Sequence, residues 1–256
     1  MSSLAVTWWG HSSATIELGS VRVGCDPVLV DRLMHLRRHT TTPSEVAAEL
    51  DVVLVSHLHG DHLHVPSLVR VSPGAPIVVP RGALPRLGAL RGRRIIEVGP
   101  GEHLQLAGLD IDVLPARHDG RRHPIGRQQA PALGFRVEGN GSSFWYPGDT
   151  GLDARIGEVD PVDLALVPIG GWGPTLGDQH LSPEGAAETV CRVGARWALP
   201  VHYGTFWPVG LRALHHASYR RLFSTPSARF LEAMSQAPTS ATTLVLGHGE
   251  RMVLHD

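Results

Sequence analysis

Short apolar runs rich in β-branched and aromatic residues, each bounded by glycine or proline, limit what this chain can fold into more than any other feature. They recur at 4–9, 14–18, 21–25, 52–56, 77–79, 95–98 and 111–114, and again at 133–137, 143–146, 164–168, 197–201, 243–246 and 252–254. Runs of this length and composition read as strands. The clearest helix signal spans Ser182–Val193, where Ser182 and Pro183 supply a cap and first turn and Gly194 a stop. Further helices are expected at 44–50, just after Asp61, at 152–159 and at 227–235. About a dozen strands with a few singly inserted helices imply an α/β protein of two packed sheets with helices outside. No long Gly/Ser linker, charge run or repeat divides 1–256, so one domain is expected over that length.

Charge and cysteine content then remove several function classes. A formal net charge of -1 denies the chain the basic surplus of a dedicated nucleic-acid binder, so no nucleic-acid partner is expected. All 23 basic residues are arginine, which excludes a lysine Schiff base and a P-loop lysine. Cys25 and Cys191 are too few for a disulfide framework or a thiolate zinc site, and they suit a reducing, cytoplasmic compartment. No basic segment followed by an apolar run opens the sequence, and no apolar stretch reaches the ~18 residues of a membrane helix. Neither a signal peptide nor stable membrane insertion is therefore expected. The departure from ordinary composition is histidine, with 16 residues.

Four of the potential metal ligands fall within six residues of Ser56-His57-Leu58-His59-Gly60-Asp61-His62. If the preceding strand continues, His57 and His59 share one face and reach a single ion. Asp61 and His62, placed in the first turn of a following helix, would then serve a second position. Imidazole and carboxylate together form the donor set of borderline-to-hard divalent ions. Three more candidates stand where predicted strands run out: His118 after Pro115-Ala116-Arg117, Asp149 in Gly148-Asp149-Thr150-Gly151, and His202 in Val201-His202-Tyr203-Gly204-Thr205. Strand ends build concave sites, whereas strand interiors build the core.

This succession, His-x-His-x-Asp-His followed by separated His, Asp and His, resembles the metallo-β-lactamase superfamily over roughly the whole chain. Trp9-Gly10-His11-Ser12, Asp26-Pro27, Gly148-Asp149-Thr150-Gly151 and His202-Tyr203-Gly204-Thr205-Phe206 are similar to the branch holding ascorbate-phosphate lactonase and N-acylphosphatidylethanolamine-hydrolysing phospholipase D. The resemblance implies a four-layer αββα sandwich and two divalent metal ions. It assigns His57, His59 and His118 to the first ion, Asp61, His62 and His202 to the second, and Asp149 to a bridging position. Zinc is the first expectation for the metal, with manganese or iron compatible with the same donors. A bound metal lowers the pKa of water from about 15.7 towards about 7, and a pair of ions clamps the developing oxyanion. The implied function is a hydrolase acting on a small, anionic ester, lactone or phosphodiester, with Asp61 as ligand and proton acceptor. The same superfamily also hosts nucleic-acid-processing enzymes, and a non-catalytic sensing module or a diiron redox role is a further alternative. The neutral charge and the full ligand set favour the small-molecule hydrolase.

Other residues are candidates with a structural alternative beside each. His11 could orient a ligand or face substrate, or simply cap a turn. Asp26 could accept the free N–H of a metal-bound imidazole. His180, ahead of the helix at 182–193, resembles a position near substrate in the phospholipase branch. His64 follows His62 too closely to share its direction on a helix and is not expected to be a ligand. Arg117, Arg121, Arg122 and Arg127 form a basic cluster around His118, either a solvated loop or an anion-recognising patch. Trp172, Phe206 and Trp207 could wall a substrate pocket or belong to the core. His123, His215 and His216 are expected to be surface residues. The sequence gives no oligomeric state.

Overall fold

A computed structural model describes residues 3–122, 129–171 and 177–255. The chain begins with β1 (Leu4–Gly10), β2 (Ser13–Leu18) and β3 (Val21–Cys25), then a small hairpin of β4 (Arg32–Leu33) and β5 (Leu36–Arg38). Next come β6 (Val52–Leu54), helix α1 (Val65–Arg70), β7 (Ile77–Pro80) and β8 (Ile95–Val98). The second half runs through β9 (His103–Leu106), β10 (Leu109–Pro115), β11 (Leu133–Gly139), β12 (Ser142–Tyr146), β13 (Leu164–Pro168), α2 (Pro183–Val193) and β14 (Trp197–Val201). It closes with β15 (Phe206–Pro208), α3 (Leu211–Leu214), α4 (His216–Tyr219), α5 (Pro226–Gln236), β16 (Thr242–Thr243) and β17 (Arg251–Leu254).

These strands assemble two seven-stranded sheets, ordered β17-β1-β2-β3-β6-β7-β8 and β16-β14-β13-β12-β11-β10-β9, and a small sheet β15-β5-β4. Each large sheet is antiparallel on one side and parallel on the other, the parallel sides being β3-β6-β7-β8 and β12-β13-β14-β16. Alternation along the strands sorts their side chains between layers. Leu54, Val78, Phe144, Tyr146, Leu164 and Leu166 meet in the core between the sheets. Their neighbours Val53, Ile77 and Val79 pack outward on Leu68 of α1 and on Leu87 and Leu90. On the opposite outer face, Trp145, Ala165 and Val167 pack under Ala186 and Val190 of α2 and Phe230 of α5. The result is the expected four-layer αββα sandwich. Helix α2 has the start and stop read from the sequence: Ser182 Oγ accepts from Gly185 N–H at 3.1 Å, and Gly194 closes it in the left-handed region at φ 67°.

Two local expectations are corrected. The strand before the histidine motif stops at Leu54, so His57 and His59 are brought together by a turn instead of by strand alternation. The following helix starts at Val65, leaving Asp61 and His62 in the turn where His62 and Leu63 N–H both donate to the His59 carbonyl. His64 is the N-cap of α1, its Nδ1 accepting from Ser67 N–H, and stays out of the ligand set as expected. No helix among the described residues is long and apolar enough to cross a membrane.

Candidate metal centre

The carboxyl ends of β1, β6, β10, β12 and β14 lead into His11, the 56–62 turn, His118, Asp149 and His202 at one rim of the sandwich. Ligand sites of α/β sheets form at such strand ends because the loops there are free of sheet pairing. Two tight turns bring the donors close. Gly148, at φ 62°, lets the chain pass where a Cβ would stand 2.5 Å from Ser56 Cβ. His11 and His202 both adopt positive φ, at 52° and 62°, and His202 N–H donates to the His11 carbonyl at 2.9 Å.

One donor group comprises His57, His59 and His118. His57 Nε2 and His118 Nε2 lie 2.9 and 3.2 Å from His59 Nδ1. Burial lowers the pKa of all three, His118 to about 4, so the rings are neutral and offer lone pairs. The Gln179 carbonyl, 3.1 Å from His118 Nδ1, accepts a hydrogen bond from the Nδ1–H and leaves the Nε2 lone pair free to bind a metal. The second group comprises His11, Asp61, His62 and His202. Asp149 connects the two: its Oδ2 lies 3.3 Å from His62 Nε2 and 3.0 Å from His202 Nε2, and its carboxylate also groups with His118 and His180. All seven residues that the sequence pattern singled out as ligands therefore converge.

A buried network orients them. Asp26, fully enclosed, accepts from Ser56 N–H at 2.8 Å and, at 2.5 Å each, from Ser56 Oγ, Tyr146 OH and His62 Nδ1. Asp26 thus meets the imidazole of His62, one of the residues that the sequence pattern singled out as ligands. Burial and the Asp26 charge push the Tyr146 hydroxyl well above its ordinary pKa, so it is a donor. His62 loses stabilisation of its charged form through burial, but Asp149, Asp26 and Asp61 outweigh this and raise its pKa well above normal. For Asp61, burial is outweighed by His62 and His11, and for Asp149 by His202 and His62; both carboxylates are held well below their usual range. His11 is driven to about 4 by burial and by His202, and as a neutral ring it donates from Nε2 to Asp61 Oδ2 at 3.0 Å.

The donor set fits divalent ions on this structure's own terms. Asp149 Oδ1 is buried with no hydrogen-bond partner, and His62 Nε2 and His202 Nε2, close to Asp149 Oδ2, form no well-aligned hydrogen bond, a costly arrangement for polar atoms unless a cation meets them. Two buried carboxylates, Asp26 and Asp149, and the half-buried Asp61 surround one imidazole. Such a charge distribution calls for positive charge at its centre.

The remaining candidates separate clearly. His180 Nε2 stands 3.7 Å from Asp149 Oδ2, half-buried at the rim. Arg117 pairs with Asp178 and Arg121 with Asp119, while Arg122 turns inward to the carbonyls of Leu58 and Leu63. The described arginines thus form no open anion patch, and Arg127, His123 and Trp172 lie outside the described residues. Phe206 and Trp207 are buried and line a cavity beside the centre. His215 and His216 are both exposed, as expected, and His215 also borders the same cavity. Sequence reasoning assigned no role to Tyr146 or Ser56, and it grouped Arg122 with a basic cluster, whereas its guanidinium serves the turn at 58–63.

Residues 22–203 match a family described as the beta-lactamase superfamily domain. An uncharacterized protein of Mycobacterium tuberculosis is 33% identical over 80% of this chain, which spans 60% of that protein. N-acyl-phosphatidylethanolamine-hydrolyzing phospholipase D 1 of Caenorhabditis elegans is 32% identical over 82% of this chain and 66% of its own length. A UPF0173 metal-dependent hydrolase of Methanopyrus kandleri is 32% identical over 80% of this chain and 86% of its own length. Among solved structures, the metallo hydrolase Igni18 from Ignicoccus hospitalis superposes with a TM-score of 0.74 at 22% identity, covering 99% of each chain.

Proposed function

The chain belongs to the β-lactamase superfamily, and from that premise we propose that it is a metal-dependent hydrolase whose paired donor groups hold two divalent ions and cleave a small ester or lactone. One observation carries this reading: two groups of metal donors meet across the single buried carboxylate of Asp149. The relative named a metal-dependent hydrolase supports the reaction class. His57, His59 and His118 would hold one ion and Asp61, His62 and His202 the other, with Asp149 shared and zinc the first candidate. When bound, such ions supply Lewis acidity and a nucleophilic water at neutral pH.

The chain's own groups do the rest. The Asp26 carboxylate accepts a hydrogen bond from His62 Nδ1–H and keeps its Nε2 directed to the centre. His11 Nε2–H fixes the Asp61 carboxylate, which is the proton acceptor of the site. His180 Nε2, half-buried beside Asp149, returns a proton to the leaving oxygen. An ester or lactone is preferred to a phosphodiester because Arg117, Arg121 and Arg122 are already engaged within the protein.

The test is elemental analysis of the purified protein together with a panel of p-nitrophenyl esters, lactones and phosphodiesters. Two metal ions per chain and ester or lactone turnover abolished in His59→Ala are expected. Less than one ion per chain, or turnover that survives His59→Ala, overturns the reading.

A further inference from the structure

A cavity of about 290 Å³ opens directly off the His11 and His202 side of the centre. One wall is the Tyr203–Pro208 stretch that continues from His202, and the other is the helical stretch 211–224 folded over it, ending in a π-helical turn that carries Leu222 and Phe223. Its lining residues include no carboxylate and no arginine among the described residues. Thr205, the polar group nearest His11, is already engaged: its Oγ1 accepts from His11 N–H at 2.6 Å and donates to the Tyr203 carbonyl at 3.0 Å. What remains facing the cavity is chiefly Phe206, Trp207, Leu222 and Phe223.

This wall is fixed before any ligand arrives. Trp207 meets Tyr219 edge-on at 5.1 Å, and Tyr219 stacks on Phe223 at 4.7 Å. Beneath Phe206 lies the Arg38 guanidinium, 4.7 Å from the ring centroid, itself held by the carbonyls of Trp9, Val28 and Val30. Interlocked rings of this kind give up little freedom on binding, so apolar burial there is expressed in affinity.

We infer that this cavity receives the uncharged acyl or aryl part of the substrate, one aromatic ring or a short acyl chain, with the scissile carbonyl at the His11, Asp61 and His202 end. The inference deepens the hydrolase reading and rests on it. Size sets the class: an apolar cavity of about 150 Å³ holds one benzene, and 290 Å³ leaves room for a ring with its linking atoms or for a chain of similar bulk. A two-chain phospholipid exceeds it. Charge sets the rest, because the described lining offers a carboxylate or phosphate no arginine, only the imidazoles of His11, His202 and His215.

The experiment has two arms. In the first, kcat/KM of the metal-loaded protein is measured for p-nitrophenyl acetate, butanoate, hexanoate, benzoate and dodecanoate. Each buried methylene is worth about fourfold, so hexanoate and benzoate should exceed acetate by at least about 30-fold, with dodecanoate falling back. In the second, indole, a neutral apolar probe, is titrated calorimetrically into the protein and into Leu222→Trp, which fills the cavity. Binding should weaken at least about tenfold, and the hexanoate-to-acetate ratio should fall by a similar factor. Ser218→Phe, at the half-exposed side of the same wall, serves if Leu222→Trp does not fold. Turnover that is flat across chain length, or indole binding that is absent or indifferent to both variants, overturns the pocket and leaves the hydrolase reading intact. Indole binding lost in the variants with no ester or lactone turned over sinks the hydrolase reading and retains the apolar site.

Discussion

Arg122 Nη1 donates to the Leu63 carbonyl at 3.0 Å and also to the carbonyl of Leu58, so one guanidinium closes the turn that carries His59, Asp61 and His62. Replacing it with methionine keeps the stem and leaves two carbonyls without their donor. Arg122→Met should cost about 1–3 kcal/mol of stability and about 10–100-fold in metal affinity. Thermal unfolding and chelator competition measure the two. Arg121→Ala, which removes only an exposed pair with Asp119, should change neither by more than about twofold.

Tyr146→Phe removes one of the donors to Asp26 Oδ2 without changing core volume. A loss of about 1–2 kcal/mol is expected in denaturant unfolding, with metal affinity about tenfold lower because His62 is held less firmly. Unchanged affinity would mean that Ser56 and His62 suffice to orient the carboxylate.

Gly148→Ala sets a Cβ against Ser56 and demands a left-handed backbone of alanine. The left-handed conformation alone costs about 1–2 kcal/mol, and the close approach adds to it. Unfolding midpoints should fall accordingly, and bound metal should drop with them, since Asp149 is the next residue.

His248, half-buried against Trp8 and Thr205, has its pKa lowered to about 4, first by burial and then by Arg38. Its folded pKa lies below that of the unfolded chain, about 6.5, so the unfolded state takes up the proton first. Its contribution is fully present above about pH 6.5 and is lost as pH falls towards about 4. Urea unfolding of the wild type and of His248→Gln at several pH values between these limits should show a shallower acid loss in the variant. Parallel slopes would remove His248 from the acid response.

Much of this architecture is legible in the sequence because it obeys local rules. Phe144-Trp145-Tyr146 alternates between the inner core and the helix-covered face, and Ser182 and Gly194 mark both ends of α2. The donor residues that converge are legible through spacing, although two of them meet differently from the strand alternation expected: His57 and His59 converge through a turn after a strand that stops at Leu54. What stayed hidden depends on partners far along the chain. The strands β4, β5 and β15 are two or three residues each and exist because Phe206 pairs with Arg38 across the small sheet. The helices at 211–219 are four residues each, too short for a hydrophobic period to declare itself. Arg122 looked like one of a basic group, and nothing near it in sequence tells that its guanidinium points to residues 58 and 63.

The contact between Thr205 Oγ1 and His11 N–H joins residues 194 positions apart. Donor atoms from His11, the 56–62 turn, His118, Asp149 and His202 likewise meet only when both sheets have docked. Contacts of such sequence separation form late and slowly, since the intervening chain must be closed first. A nascent chain emerging from the ribosome would therefore present the histidine turn long before it could present a completed cage. On the proposed reading, metal capture would be the final act of folding, and bound metal would then slow unfolding with little effect on how fast the fold is reached.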